Sequence, residues 1–522
     1  MVVPDAYRAQ LYFRRLKLGM QDVATTLTEL GLGPQEVDTS IEGLERTLAA
    51  ELDSIILPTV AFELAIARQL VLLRGKTPGQ RYESFFVSDR GWQPWVRSIL
   101  LRYRFLDEAI GSYVTTTVAA VQEALERLRR DLGGIRRTLL KSNEHRLIGV
   151  GVAEGADRHR DGRRVLWFRF NRGTTVVYKP IDLGTYLLFD RFVRWLDLDA
   201  EHACYLPRVL PRDGYGWMEF VPHVGCRSNA DIKAFFLRAG ILLAAAESLN
   251  LADAHAGNLV ARGPFPVIVD QEALLHNHSL ASAQDQPDIF TTLIVQHLPP
   301  EGSPFGVAAG LMCPPVPQLN RFAAVADDER TDTLSVRFGR PSQGGPMHLP
   351  RLGDEHVTVH DYVDDVVAGY RTGYEIISDQ LRTEQGPAGW PRAAAQIRPR
   401  IIVRSTMYYA HLMCLLEQPE ILTSRQNAEA TLRTQLSQTG KYWEWEIPAL
   451  LHHDIPYFFH APGERHLYGS ASERQENLFP VSAIEDLKSR WGRRSRTRRD
   501  DNCDLLRELL PLSPRAMNFF VR

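Results

Sequence analysis

From its start to about residue 145 the chain repeats apolar residues at steps of three and four. The runs are Leu11 to Leu32, Ile41 to Leu52, Val60 to Leu73 and Val114 to Leu132. That spacing gathers the apolar side chains on one face of a helix and predicts an almost wholly helical amino-terminal region. Pro58, the Gly75–Pro78 segment and Gly133–Gly134 punctuate it, and Ser88 to Pro94 reads as a loop. The pattern then changes. Trp167–Phe170 and Thr174–Lys179 are short β-rich runs joined by Asn171-Arg-Gly173, which signals a hairpin. Tyr215 to Val221 reads as another strand, Ala239 to Leu251 as an apolar helix and Pro266 to Val269 as a buried strand. Residues 276–350 carry the breakers Gln286-Pro287, Pro299-Pro300, Pro314-Pro315 and Gly344-Gly345 and read as irregular. Arg400 to Thr406 reads as a β-run after Pro399, Met407 to Leu416 as a helix, and Leu505 to Leu510 as part of a final one. The whole predicts an α+β protein with a helical region over 1–145, a β-rich part over 146–225 and a larger part over 226–522.

Composition narrows the class. The chain is 522 residues long, enough to bury a large core, and its 44% hydrophobic and 24% charged content is that of a globular protein. A net charge of −2 argues against a general nucleic-acid binder. The start, Met-Val-Val-Pro-Asp-Ala-Tyr-Arg, lacks a basic-then-apolar signal pattern, and the apolar stretch near Ala239 to Ala246 is too short to span a bilayer. Five scattered cysteines without a C-x-x-C pair fit a reducing compartment and give no zinc framework. A cytoplasmic location is the expectation, with no membrane span.

The candidate chemistry centres on Leu251-Ala-Asp-Ala-His-Ala-Gly-Asn258, followed twelve residues later by Asp270-Gln-Glu272. Phosphoryl transfer needs a carboxylate to take the proton of an attacking hydroxyl, and oxygen ligands to hold the magnesium that neutralises the phosphates. Asp253 suits the first task, and Asn258 and Asp270 suit the second. His255 either fixes the loop or donates to a phosphate oxygen. Glu272, two residues from Asp270, shares its face in an extended strand and would join the metal or pair with a lysine. Lys179 ends a strand, in the manner of a lysine that reaches ATP phosphates. Glu219 lies on a hinge-like strand and either borders the nucleotide or is solvated.

These motifs, taken in order, resemble the dehydratase half of class II lanthipeptide synthetases, the LanM family. The resemblance rests on Val177-Tyr-Lys-Pro180, Tyr215-Gly-Trp-Met-Glu-Phe220, Asp253-Ala-His-Ala-Gly-Asn258 and Phe265-Pro-Val-Ile-Val-Asp-Gln-Glu272. It is carried further by Gly155-Ala-Asp-Arg-His159, with Ala156 where the family has glycine, by Arg400-Ile-Ile-Val-Arg-Ser-Thr406 and by Asp454-Ile-Pro-Tyr-Phe458. It runs from roughly Gln80 to the end of the chain.

The resemblance implies an elaborated kinase-like, bilobal fold, closer to lipid kinases than to protein kinases, with an activation-loop-like segment over 276–350. It implies an enzyme that uses ATP and Mg²⁺ to phosphorylate Ser or Thr of a ribosomally made precursor peptide bearing a leader. Phosphate is then eliminated to leave dehydroalanine or dehydrobutyrine. By the same resemblance Arg400, Thr406, Asp157 and His159 serve the elimination. Guanidinium suits a departing phosphate, and Thr406 would share a β-face with Arg400. Arg404, four residues on, could substitute. The base that removes the Cα proton stays open among Lys179, Asp253 and His159.

The family's cyclase half carries a Cys/Cys/His zinc site, for which this chain shows no framework, so a standalone dehydratase working beside other maturation enzymes is expected. Two other classes stay in view: a kinase that stops at phosphorylation, and a non-catalytic module that binds the precursor. The basic run Arg490 to Arg499 reads as solvated surface or as a site for an acidic leader. His276 and His278 form an H-x-H pair with no third ligand in view.

Overall fold

The computed structural model describes residues 9–86, 93–277, 288–295, 309–311, 323–339, 346–384, 386–438, 443–470 and 473–511. Helices and antiparallel sheets together make the expected α+β class. Most of the Ser88–Pro94 loop, His278 and much of 276–350 lie outside the described residues. The chain divides into two compact units, each built from three sections: Met1–Tyr178, Asn320–Pro341 and Arg404–Pro456 in one, Lys179–Leu319, Ser342–Val403 and Tyr457–Arg522 in the other.

The first unit is organised around the helix Pro34–Gln69, against which Arg14–Glu29 and Arg104–Ile135 pack. The expected break at Pro58 does not occur; the helix runs through it. A proline inside a helix costs about 3 kcal/mol, but Leu52, Ile55, Ile56, Leu57, Val60 and Leu64 around it are all buried. Each such side chain contributes roughly 1.5–3 kcal/mol, so tertiary burial outweighs the local cost. Gly133–Gly134 likewise falls inside a helix that continues to Ile135. The strand Leu147–Val152 lies on the long helix and pairs antiparallel with Leu166–Phe170, which pairs in turn with Thr175–Lys179. Phe168 and Phe170, two apart, are buried together while Arg169 between them is exposed. The predicted hairpin turn is present, with Arg172 in the left-handed region at φ 62°.

At the centre of the second unit the helix Asn229–Ser248 crosses Val363–Thr383. The helices touch through glycine: a Cβ on Gly369 would stand 1.8 Å from the Leu237 carbonyl oxygen, and one on Gly240 2.0 Å from that of Val366. Ser228 opens the first helix by accepting from the Asp231 amide at 3.3 Å. Nearly every residue from Ile232 onward is then buried, among them Phe235, Phe236, Leu242 and Leu243. The hairpin Leu259–Arg262/Phe265–Ile268 follows, and a small sheet orders Arg400–Ile401, Phe458–Phe459, Leu467–Tyr468 and Arg474–Gln475. No helix among the described residues is long and apolar enough to cross a membrane.

Candidate active site

Backbone pairing sets the site in the second unit. After the central helix the chain turns at Asn250, with φ 47°, and runs beside the segment that follows Ile268. The Ala252 amide donates to the Ala273 carbonyl at 3.1 Å, and the Leu275 and His276 amides donate to those of Leu249 and Asn250 at 3.0 and 2.9 Å. The Val269 amide donates to the Asn258 carbonyl at 2.9 Å. The loop Leu251–Asn258 and the segment Val269–Glu272 are therefore neighbours.

Lys179 and Asp270 form the centre of this arrangement. Lys179 Nζ donates to Asp270 Oδ2 at 2.9 Å, to the Val269 carbonyl at 2.9 Å and to Tyr186 Oη at 2.8 Å. Tyr186 donates to the Val269 carbonyl at 3.0 Å. Burial opposes ionisation of Asp270, but the adjoining Lys179 charge and hydrogen bond outweigh it, and the carboxyl lies below its ordinary range. The Asp270 side chain keeps 24% of its surface exposed while that of Lys179 keeps 6%, so a ligand reaches the carboxylate more readily than the ammonium.

Asp253 stands in the left-handed region at φ 67°, a conformation that costs energy for any residue with a Cβ and that collects at functional sites. Asn258 Nδ2 donates to its carbonyl at 2.8 Å. His255 Nδ1 accepts from the Gly257 amide at 2.9 Å and caps the short 3₁₀ turn Ala256–Asn258. Its role in holding the loop is thus visible. His255 Nε2 lies 3.8 Å from Asp253 Oδ1 and 3.4 Å from Asn258 Nδ2. Burial raises the Asp253 carboxyl, against the pull of His255 and Arg400, although 28% of the side chain is exposed. A carboxylate raised in this way is the better proton acceptor near neutrality.

Arg400 and Glu272 form a buried pair. Arg400 Nη1 donates to Glu272 Oε1 at 2.5 Å, its amide to the Glu272 carbonyl at 2.8 Å, and the guanidinium lies 5.6 Å from the Tyr457 ring centre. Burial raises Glu272 against the adjacent arginine. The expectation that Glu272 continues a strand beside Asp270 is corrected, since the strand ends at Ile268, and its ion-pair partner is an arginine rather than a lysine.

The Arg400–Thr406 β-run is also corrected. Only Arg400–Ile401 is strand, Ser405 caps the helix Thr406–Leu416, and Arg400 and Thr406 belong to different units. Arg404 pairs with Glu446 at 2.7 Å and belongs to the first unit, unlike Arg400. Glu219 is buried and accepts from Tyr205 Oη at 2.6 Å and from the Arg208 amide and Nε at 3.1 and 2.6 Å, so the solvated-strand alternative fails. Part of the basic run is committed, while Arg493 and Arg496 are exposed. Arg490 pairs with Asp486, Arg494 lies 3.6 Å from the Tyr374 ring centre, and Arg499 pairs with Asp500.

Asp157 and His159 lie in the first unit, in a turn tighter than a solvated loop. The His159 and Arg163 backbones exchange two 2.9 Å hydrogen bonds, and Arg160, Asp161 and Gly162 all have positive φ. Asp157 lines a small pocket with Glu51, Tyr113, Arg158, Arg164 and Ile455. Within it Glu51 accepts from Tyr113 Oη at 2.6 Å and pairs with Arg164 at 2.9 Å. Tyr186 and the pairing of Arg400 with Glu272 and of Arg404 with Glu446 are not marked by any local period in the sequence. Among the described residues no group of three or more His, Cys, Asp or Glu is placed to hold a metal ion.

Two comparisons bear on the family. A family model described as "Domain of unknown function (DUF4135)" matches residues 103–461. The lacticin 481/lactococcin biosynthesis protein LcnDR2 of Lactococcus lactis subsp. lactis is 23% identical over 459 residues, covering 80% of this chain and 48% of that protein. The chain thus spans about half the length of the curated relative it matches. Both findings agree with the LanM-like resemblance read from the motifs.

Proposed function

The chain belongs to the DUF4135 family and is LanM-like, and on that premise we propose that it is a lanthipeptide-type dehydratase, phosphorylating Ser or Thr of a precursor peptide with ATP and then eliminating the phosphate. The observation that carries this reading is the Lys179–Asp270 pair held beside the Asp253–Asn258 loop. Asp253, raised by burial and partly exposed, takes the proton of the attacking hydroxyl. Lys179 is the cation for the ATP phosphates, released from Asp270 as they arrive. Hard oxygen donors suit Mg²⁺: the Asp270 carboxylate and the Asn258 amide oxygen, whose Nδ2 is turned to the Asp253 carbonyl, would hold it. The ion would neutralise phosphate charge. A lipid-kinase-like arrangement of these parts belongs to the same proposal.

In the elimination the Cα–H and Cβ–O bonds break, the double bond forms and phosphate leaves. The reading gives charge stabilisation at the leaving phosphate to Arg400 and Thr406, has Asp157 and His159 serve the same step, and leaves the base that takes the Cα proton among Lys179, Asp253 and His159. It assigns these residues no step of ring closure, and the cytoplasm, where ATP is at hand, is the proposed location. Purified protein given precursor peptide, ATP and Mg²⁺ should yield peptide lighter by one water per modified residue in a mass spectrum. The commitment of Arg400 to Glu272 favours a second reading, a kinase that stops at phosphorylation. Stable phosphopeptide as the sole product would select it, and no modification at all would leave a binding module.

A further inference from the structure

The sequence marks Asp454-Ile-Pro-Tyr-Phe458 without giving it a task, and the geometry gives one to its first two residues. Asp454 Oδ2 accepts from the Gly162 amide at 2.9 Å, and Oδ1 lies 3.2 Å from Arg158 Nε. The Ile455 amide donates to the Arg158 carbonyl at 2.7 Å, and His159 Nδ1 lies 2.9 Å from the Ile455 carbonyl. Asp454 and Ile455 thus grip both ends of the turn Arg158–Gly162 within the first unit. The turn needs the grip. Arg160, Asp161 and Gly162 have φ of 43°, 65° and 79° in succession, and two of the three carry a Cβ that disfavours it. A Cβ on Gly162 would stand 3.0 Å from Thr116 backbone and from Arg158 Nη2, so a side chain there would be strained.

The grip also sets chemistry. A backbone carbonyl only accepts, so His159 Nδ1 carries the proton, and the lone pair of the neutral ring lies on Nε2. Arg158 is buried, its guanidinium 3.6 Å from the Tyr113 ring centre and its Nη2 donating to Thr116 Oγ1 at 2.8 Å. Its charge faces Asp454, whose own side chain is 2% exposed. The neighbouring Asp157 is left at the pocket wall alongside Ile455.

We propose that Asp454 is a positioning residue for elimination: it fixes the Arg158–Gly162 turn, and through Ile455 the tautomer and orientation of His159, so that Asp157 and His159 meet the phosphorylated residue. This rests on the elimination role proposed above for Asp157 and His159. A misplacement of about 1 Å can cost on the order of 10²-fold in rate. The test follows phosphorylated and dehydrated peptide over time by mass spectrometry, with melting temperature measured in parallel, for Asp454→Ala, Asp454→Asn, Asp157→Asn and His159→Asn. Asp454→Ala should slow elimination about 10²-fold while phosphorylation stays within about twofold, so phosphopeptide accumulates. Asp454→Asn keeps an acceptor for the Gly162 amide and should recover part of the loss. If Asp157→Asn and His159→Asn accumulate phosphopeptide but neither Asp454 variant does, this inference falls alone. If both Asp454 variants lose phosphorylation and elimination in parallel, Asp454 is a fold element and the inference is overturned. If Asp157→Asn and His159→Asn dehydrate normally, the underlying reading falls and takes this one with it.

Discussion

Replacing Arg400 tests stability and chemistry at once, because the guanidinium is both a proposed phosphate donor and half of a buried ion pair. Arg400→Met leaves Glu272 without its 2.5 Å partner, in a place where its side chain is only 14% exposed. Breaking such a pair from one side costs roughly 3–5 kcal/mol, because the remaining charge stays buried and uncompensated. Loss of the contact with the Tyr457 ring adds on the order of 0.5–1 kcal/mol. Glu272→Gln removes the stranded charge, so the double variant Arg400→Met/Glu272→Gln should regain about 2–3 kcal/mol over Arg400→Met alone. Arg400→Lys keeps the charge and much of the stability but loses the planar, two-bond fit to a phosphate. Urea unfolding of the four proteins gives the stability arm, and mass-spectrometric time courses give the chemistry. Elimination by Arg400→Lys should fall by about 10²–10³, the usual effect of removing a donor aimed at developing charge, with phosphorylation much less affected. An Arg400→Met unfolding free energy within about 1 kcal/mol of wild type, or a double variant no better than the single, would refute the pairing argument. Equal loss of both chemical steps in Arg400→Lys would refute the division of labour.

Asp253→Asn should abolish phosphorylation and dehydration together while the melting temperature holds, and near-normal modification by it would remove the kinase-like assignment. Glu219→Gln should leave the KM for ATP unchanged and lower stability by about 1–3 kcal/mol, because the carboxylate serves Tyr205 and Arg208; a several-fold rise in KM without loss of stability would contradict this. His460 is fully buried, and burial together with the neighbouring His276 pushes its pKa down from 6.5 to about 3. The unfolded chain therefore binds a proton that the folded chain refuses between these values. The stabilising contribution is complete above about pH 6.5, declines by roughly 1.4 kcal/mol per unit as pH falls, and levels off near 3. Urea unfolding at pH 5 and pH 7.5 should show a shallower pH dependence for His460→Leu than for wild type, and equal slopes would rule His460 out as the source.

What the sequence made legible was whatever is settled within a few residues of itself. The hairpin at Asn171–Gly173, the Asp253/Asn258 spacing and the strand before Asp270 are local, and the structure has each of them. Lys179 and Asp270 stand 91 positions apart and were linked only by the order of motifs, but their ion pair is present. The failures share a cause. Pro58 looks like a helix end until the buried residues around it are known, and propensity yields to that burial. Thr406 was read on a strand, although Ser405 just before it is a good helix cap and was the signal to follow. Charge partners are the least legible part. Glu272, Arg404 and Glu219 each pair with a residue 128, 42 or 11 positions away, a separation that no local pattern marks. A charged residue buried at a site must first satisfy its own desolvation, and only a charge that keeps some exposure can then exchange its partner for a ligand. By that measure Asp253 and Asp270, still partly exposed, are the carboxylates best placed to meet substrate and metal. Arg400 has to be argued against Glu272 before it can be argued toward a phosphate.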